Sequence, residues 1–373
     1  MKNKFLVSLN LVIIFLAFQS CHAQQKHSTQ SVITEFAKEL SARLNNEHLH
    51  ASISAVIIKN DRIIWRSAYG YLNRDSDIPA DSNTIYRIAS ITKTFTALLL
   101  MQLVQEGKLK LDDPVEKYLP EIKKVNGYEI GERITFRQLA SHTAGLEREP
   151  HMANSYSGTP DEWENSLLRC IPYTSLISKP GERFSYSNIG YALLGLALSR
   201  ATGIPYVDMV KQRILDPLHM KDTYFSLSPA EKERLAQGIA NDSLGRINTK
   251  LPEKDLRGRG YRVPDGGLYS TPTDLSKLVL SLMDKPPLVK PVYRSIMREV
   301  PPAGKNYGIG LMLLERRGLD LEGNDGALPG YTSTFIIERQ SGYAVILMRN
   351  YNVGNINLFT AAFALLRELK NSE

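Results

Sequence analysis

Ile85-Tyr86-Arg87-Ile88-Ala89-Ser90-Ile91-Thr92-Lys93 is the stretch from which the rest of the chain can be read. Ile85 to Ala89 leads directly into Ser90, after which Phe95, Leu98, Leu99, Met101 and Leu103 follow as a helix that Gly107 ends. A serine therefore opens a largely buried helix. Residues three apart on a helix share a face, so the Lys93 amine reaches the Ser90 hydroxyl, and an amine in a partly dry cleft can accept that hydroxyl's proton. The free N–H groups and dipole of a helix start also favour an oxyanion formed by attack on a carbonyl. Alone, Ser-x-x-Lys is a short pattern that also describes a helix cap followed by a surface lysine.

Working outward, residues 51–59 and 63–71 have β composition and are separated by Asn60-Asp61-Arg62, a hairpin signal. Before them, Val32, Phe36, Leu40 and Leu44 recur at the spacing of an amphipathic helix. From about residue 112 to 264 the chain is helix and loop, with one strongly apolar helix over 189–199 closed by Ala201-Thr202-Gly203. Strands return over 307–315, 331–338 and 343–349, the last two joined across Arg339-Gln340-Ser341-Gly342, and 358–369 makes a closing helix. The expected fold is α/β (α+β): a mixed, mainly antiparallel sheet built from both termini and flanked by helices, with an inserted, mostly helical lobe and a cleft at the junction. No internal repeat or long linker divides residues 30–373, which read as one catalytic domain.

Composition agrees with an ordinary globular protein: 373 residues, 43% hydrophobic and 23% charged. The net charge of +7 is spread along the chain. The one basic cluster, Arg257-Gly258-Arg259-Gly260-Tyr261-Arg262, reads as a solvated loop, so no nucleic-acid partner is expected. Residues 1–23 read as a secretory signal, basic at Lys2 and Lys4 and then apolar. Cleavage before Cys21 would leave a lipidated cysteine and the only membrane contact expected; cleavage after Ala23 would release a plainly secreted chain. Either route leads to the periplasm or cell envelope. With only Cys21 and Cys170 present, no internal disulfide is expected, and Cys170 reads as a buried structural thiol. His48 and His50 lack metal spacing and there is no His-Glu-x-x-His, so neither metal nor organic cofactor is implied. The absence of Gly-x-Ser-x-Gly argues against an α/β-hydrolase, and Gly308-Ile309-Gly310 reads as the start of a strand rather than a dinucleotide loop.

A second element is Tyr186-Ser187-Asn188, between Gly181-Glu182-Arg183-Phe184 and the apolar helix. A phenol near a lysine can share its proton relay, and the Asn188 amide can hold a substrate amide or orient Lys93. The plainer reading is a core tyrosine with Asn188 as a helix N-cap. Three further segments fall in order: Ile134-Thr135-Phe136-Arg137-Gln138-Leu139-Ala140-Ser141-His142-Thr143-Ala144-Gly145-Leu146, Pro264-Asp265-Gly266-Gly267-Leu268-Tyr269-Ser270-Thr271, and Gly323-Asn324-Asp325-Gly326-Ala327-Leu328-Pro329-Gly330-Tyr331. Together these resemble the serine β-lactamase and penicillin-binding-protein superfamily, in particular the group holding class C β-lactamases, D-alanyl-D-alanine carboxypeptidases, D-aminopeptidases and related esterases.

The resemblance covers nearly all of the chain after its leader and implies a β-lactamase/transpeptidase-like fold with a cofactor-free acyl-enzyme mechanism. Ser90 would attack, Lys93 and Tyr186 would manage protons, and Asn188 would bind substrate. The backbone N–H groups of Ser90 and Ala327 would form the oxyanion hole. Asn324 and Gly326 would stand on the strand lining the cleft, where the family carries Lys-Thr-Gly or His-x-Gly; Asn324 cannot carry charge, so carboxylate recognition is expected to be weaker. His142 falls in a structural signature of the family and is read as structural. The expected substrate is a small molecule or peptide with an amide or ester bond, such as a D-amino-acid peptide or peptidoglycan fragment. A small-ester esterase, and a binding or sensing protein that acylates without turnover, are the competing readings. Nothing in the sequence indicates the oligomeric state.

Overall fold

The computed structural model describes residues 28–129, 133–256 and 259–373. The signal segment 1–23, with Cys21, lies outside the described residues. In chain order the strands are β1 (Ser52–Lys59), β2 (Arg62–Asn73), β3 (Ser76–Pro79), β4 (Tyr86–Arg87), β5 (Ala240–Asn241), β6 (Ile247–Asn248), β7 (Tyr269–Ser270), β8 (Met312–Arg316), β9 (Leu319–Leu328), β10 (Tyr331–Glu338) and β11 (Tyr343–Arg349). A 7-stranded sheet runs β3-β2-β1-β11-β10-β9-β8, and each of its pairings is antiparallel. The sheet is thus built from both termini as expected, with β1 beside β11 at its centre from Ile53↔Arg349 to Lys59↔Tyr343.

β1 and β11 are buried along almost their whole length. Helices cover both faces of the sheet there, so these strands read as apolar runs rather than as an alternating pattern. On one face Ile53, Ile57, Val345 and Leu347 pack with Leu40 and Leu44 of the N-terminal helix Thr29–Asn46 and Leu366 of the C-terminal helix Leu358–Asn371. On the other, Val56, Ile58, Ile346 and Met348 share a core with Phe95 and Leu99 of the helix Thr92–Gln105, named the nucleophile helix after the expected role of Ser90. The β1–β2 turn is tighter than expected: Arg62 already begins β2, and Asn60 takes the left-handed conformation (φ 56°) that asparagine tolerates.

Two expectations need correcting. Residues 307–311 are not a strand, and β8 starts only at Met312. Gly310 has φ 73° and its carbonyl accepts the Thr94 hydroxyl at 2.9 Å; a Cβ there would lie 2.2 Å from the Ala97 Cβ. The loop therefore lies directly on the nucleophile helix. Conversely, β9 is hidden from pattern reading by its polar residues. Glu322 is buried because Arg294 donates to it and Arg298 Nε sits 3.0 Å from its carboxylate, pairing a charge that could not otherwise leave water.

Between β4 and β7 the described chain is helix and loop apart from the short β5–β6 hairpin. The predicted helix over 189–199 is Asn188–Thr202, ended by Gly203 at φ 70°. It approaches Pro264 so closely that a Cβ on Gly195 would stand 2.5 Å from the proline Cβ and Cγ. Pro264 is held from its other side by Thr96 of the nucleophile helix, whose hydroxyl donates to the Pro264 carbonyl at 2.7 Å. Gly195→Ala should therefore destabilise the fold by about 1–3 kcal/mol through overpacking, more than the helix preference of alanine returns. Urea unfolding would read the loss; an unchanged or raised midpoint would show that the Pro264 segment yields freely.

Candidate active site

Ser90 lies in the 3-10 turn Ala89–Ile91 between β4 and the nucleophile helix, so the helix proper begins at Thr92 rather than at Ser90. Ala89 is at φ 48°. A left-handed alanine costs roughly 1–2 kcal/mol, and the surroundings hold it: the Ile88 N–H donates to the Leu268 carbonyl at 3.1 Å, and Leu268 N–H donates to Thr92 Oγ1 at 3.2 Å. On the sheet side, Gly326 of β9 comes so close that a Cβ would fall 2.2 Å from the Ile88 carbonyl, and Ser333 Oγ donates to that same carbonyl at 3.1 Å. Only glycine permits this approach. It brings the next residue of β9, the exposed Ala327, to the strand edge beside the Ser90 turn.

Lys93 is fully buried, and its Nζ bonds Ser90 Oγ at 3.1 Å, Asn188 Oδ1 at 2.8 Å and the Asp265 carbonyl at 2.9 Å. The Asp265 carboxylate, also fully buried, stands 3.6 Å from the same nitrogen. Asn188 is not the N-cap of its helix. Ser187 is, accepting from the Gly190 N–H at 3.0 Å, which frees the Asn188 amide for the site. Its Nδ2 donates to Glu149 Oε1 at 2.6 Å, so Oδ1 must face Lys93. The Asn188 N–H donates to the Arg148 carbonyl at 2.9 Å, which ties the Arg148-Glu149 loop to this helix.

Tyr186 is held by its ring. It stacks on His142 with centroids 4.2 Å apart, and Lys93 Nζ and the Arg148 guanidinium each lie 5.0 Å from its centre. His142, Ser90, Lys93, Tyr186 and Asn188 thus meet in one place, as the motifs suggested. Asn324 reaches it only indirectly. Its amide is buried and donates to Thr94 Oγ1 at 3.2 Å, the Gly310 carbonyl at 3.2 Å and Tyr307 Oη at 3.4 Å, and Tyr307 in turn packs against His142 and Tyr186. Asp325 points to the opposite face of the sheet, where burial raises its pKa and the Thr334 hydroxyl binds it.

Sequence reasoning missed a second layer of charge. Glu149 takes Asn188 Nδ2 on one oxygen and the Tyr261 hydroxyl on the other. Arg262 Nε lies 3.3 Å from Asp265 Oδ2, and its NH2 lies 3.8 Å from Glu149. Arg259, Tyr261 and Arg262 were expected in a solvated loop; instead Arg259 and Tyr261 are buried and Arg262 is nearly so, the last beside the carboxylates of Asp265 and Glu149. Arg257 and Gly258 of that cluster lie outside the described residues. Of the added groups only Asp265 fell within a recognised segment, and nothing in the spacing of Glu149 or Arg262 marks them. Cys170 is buried, and burial pushes its thiol up to about 11.

His142 is buried, with φ 59°, and its Nδ1 accepts the Ser187 N–H at 3.1 Å. A neutral ring accepting at Nδ1 carries its proton on Nε2. Burial, then the charges of Lys93 and Arg148, hold its pKa well below the ordinary 6.5. The unfolded chain binds this proton more readily, so the stability His142 contributes is present above about pH 6.5 and falls as pH drops, by up to about 1.4 kcal/mol per unit. His142→Asn, which tolerates the positive φ and offers an acceptor to Ser187, should unfold with a shallower loss between pH 6.5 and 5; parallel curves would show that His142 is not the group responsible.

A protein-family model described as Beta-lactamase matches residues 33–367. Protein flp of Staphylococcus aureus (strain COL) is 29% identical over 305 residues, covering 80% of this chain and 59% of its own length. Beta-lactamase-like protein 4 of Dictyostelium discoideum is 34% identical over 246 residues, covering 62% of this chain and 42% of its own. The chain therefore spans about three-fifths or less of these relatives' length. The solved octameric penicillin-binding protein homologue from Pyrococcus abyssi is 29% identical with a TM-score of 0.75, over 91% of this chain and 77% of that one. With the family model spanning nearly the whole described chain and the Ser90–Lys93 pair at the centre of the matching fold, this chain belongs to the Beta-lactamase family.

Proposed function

We propose that the chain is an exported serine hydrolase that forms an acyl-enzyme on Ser90 and cleaves an amide or ester, with D-amino-acid peptides or related cell-wall fragments as the favoured substrate class. The observation that carries this reading is the setting of Lys93. Two of its hydrogen-bond directions are fixed by Asn188 Oδ1 at 2.8 Å and the Asp265 carbonyl at 2.9 Å. In the neutral amine these take its two N–H groups, and the remaining tetrahedral direction, that of the lone pair, faces Ser90 Oγ at 3.1 Å. Lys93 then takes the hydroxyl proton as Ser90 attacks. Tyr186, whose ring centre lies 5.0 Å from Lys93 Nζ, shares in this reading the return of that proton to the leaving group, and water later attacks the acyl carbon to regenerate Ser90. Backbone N–H groups of Ser90 and Ala327 serve the oxyanion, and Asn188 meets the substrate amide. Export through the 1–23 leader, with lipid on Cys21, would hold the enzyme in the envelope beside such substrates.

A small-ester esterase is the second reading, and Asn324 favours it. Where the resembled family carries Lys or His, this chain has a neutral amide already engaged by Thr94, Gly310 and Tyr307. A protein that is acylated but does not turn over is the third, and the lifetime of the adduct separates it from a hydrolase.

Intact-mass measurement after brief exposure to a fluorophosphonate, and separately to a penicillin, should show one adduct on the wild type and none on Ser90→Ala. An adduct retained by Ser90→Ala would mean another nucleophile. Lys93→Ala should slow acylation by about a hundredfold or more; less than tenfold would remove Lys93 as the base. Asn324→His should raise kcat/KM for substrates bearing a free carboxylate relative to their methyl esters. An unchanged ratio would show that position 324 does not govern carboxylate recognition.

A further inference from the structure

The segment Val263–Gly266 brings both a carbonyl and a carboxylate to one amine. Asp265 offers its main-chain oxygen to Lys93 Nζ at 2.9 Å and its Oδ2 at 3.6 Å, and both side chains are fully buried. The main-chain contact could be made by any residue at this position. The carboxylate is an addition, and an expensive one to bury. Its Oδ1 is enclosed with no hydrogen-bond partner, and its Oδ2 meets Arg262 Nε only at 3.3 Å. Buried, incompletely satisfied carboxylates are uncommon in folded proteins and gather where charge is moved.

Glu149, the other carboxylate of the cluster, cannot serve Lys93 in the same way. Its oxygens are engaged by Asn188 Nδ2 at 2.6 Å and by the Tyr261 hydroxyl, so it acts on Lys93 through the orientation of Asn188. Asp265 is the carboxylate in direct reach of the amine.

We propose that Asp265 is the third member of the proton relay, a positioning residue that aims Lys93 Nζ at Ser90 and supplies the counter-charge for the ammonium formed during acylation. The inference rests on the acyl-enzyme reading of Ser90 and Lys93. In the step it supports, the Ser90 O–H bond breaks and its proton passes to the Nζ lone pair, while an Oγ electron pair forms the bond to the substrate carbonyl carbon. The C=O π pair moves onto oxygen. When that pair returns, the bond to the leaving group breaks, and the leaving group takes the proton back from Nζ, directly or through the Tyr186 phenol. The ammonium formed by the first transfer is fully buried, and the Asp265 carboxylate 3.6 Å away is the counter-charge in reach of it.

The test is a double-mutant cycle on the rate of Ser90 labelling by a fluorophosphonate, followed by intact mass, with wild type, Asp265→Asn, Lys93→Ala and the double variant. Asp265→Asn should label about tenfold to a hundredfold more slowly. In the Lys93→Ala background the same change should have no further effect, because the group that Asp265 serves is gone. Multiplying losses in the double variant would overturn the inference, since Asp265 would then act without Lys93. A wild-type rate for Asp265→Asn would overturn it as well. Wild-type labelling by Lys93→Ala would be a different failure, that of the base assignment on which the inference stands. Thermal unfolding of each variant checks that it is folded, and Asp265→Ser takes the place of Asp265→Asn in the cycle if the asparagine does not fold.

Discussion

The site is organised by the need to keep one amine out of water and still satisfied. Lys93 Nζ touches no solvent, so every direction around it must hold a polar partner, and those partners come from different parts of the chain: Ser90 from its own turn, Asn188 from the lobe helix, and Asp265 from the segment before β7. A buried amine without such partners would be strongly unfavourable. The geometry of the whole junction follows. Asn188 must present oxygen rather than nitrogen, so Glu149 binds the nitrogen. Asp265 must lie within reach, so the lobe helix carries a glycine at 195 where it crosses Pro264.

The nucleophile turn is fixed from the opposite side by the sheet. Ala89 is in a conformation alanine avoids, and it is held there between β9, which abuts Ile88 through Gly326, and the Leu268 segment, which bonds both Ile88 and Thr92. Ser90 is thereby presented from a rigid frame, with its hydroxyl toward the lysine rather than following the regular path of the helix. The rings of Tyr186, Tyr191 and Tyr307 gather around His142 on the remaining side of the cluster.

What could be read beforehand was what local pattern encodes. The helix after Ser90, the hairpin at 60–62 and the terminal helices all follow from periodicity and turn chemistry, and Ser90, Lys93, Tyr186 and Asn188 lie in short motifs. That the sheet is built from both termini followed from β composition at both ends; the order of its strands was not read beforehand. What stayed hidden was set by contacts distant in sequence. Arg262 reads as a loop cation until Asp265 and Glu149 are beside it, and β9, which only the resemblance placed on a strand, carries no strand pattern until Arg294 and Arg298 neutralise Glu322. Asn324 was expected to face substrate; its amide instead closes the gap between β9 and the Gly310 loop, which no spacing rule reveals. In each case a polar residue is inside because its partner is, and single-sequence patterns carry no record of partners.

The meeting of β1 and β11 at the middle of the sheet also sets an order of events during synthesis. Ile53 finds its neighbour only when Arg349 has been made, so the central seam has a very long loop to close and cannot form while the chain is still emerging. Until then the edge of β1 that later meets β11 is unpaired, in a strand whose Ile53, Val56, Ile57 and Ile58 end up buried. Such long-range topology folds slowly and leaves nascent chains prone to association until the last strands are complete.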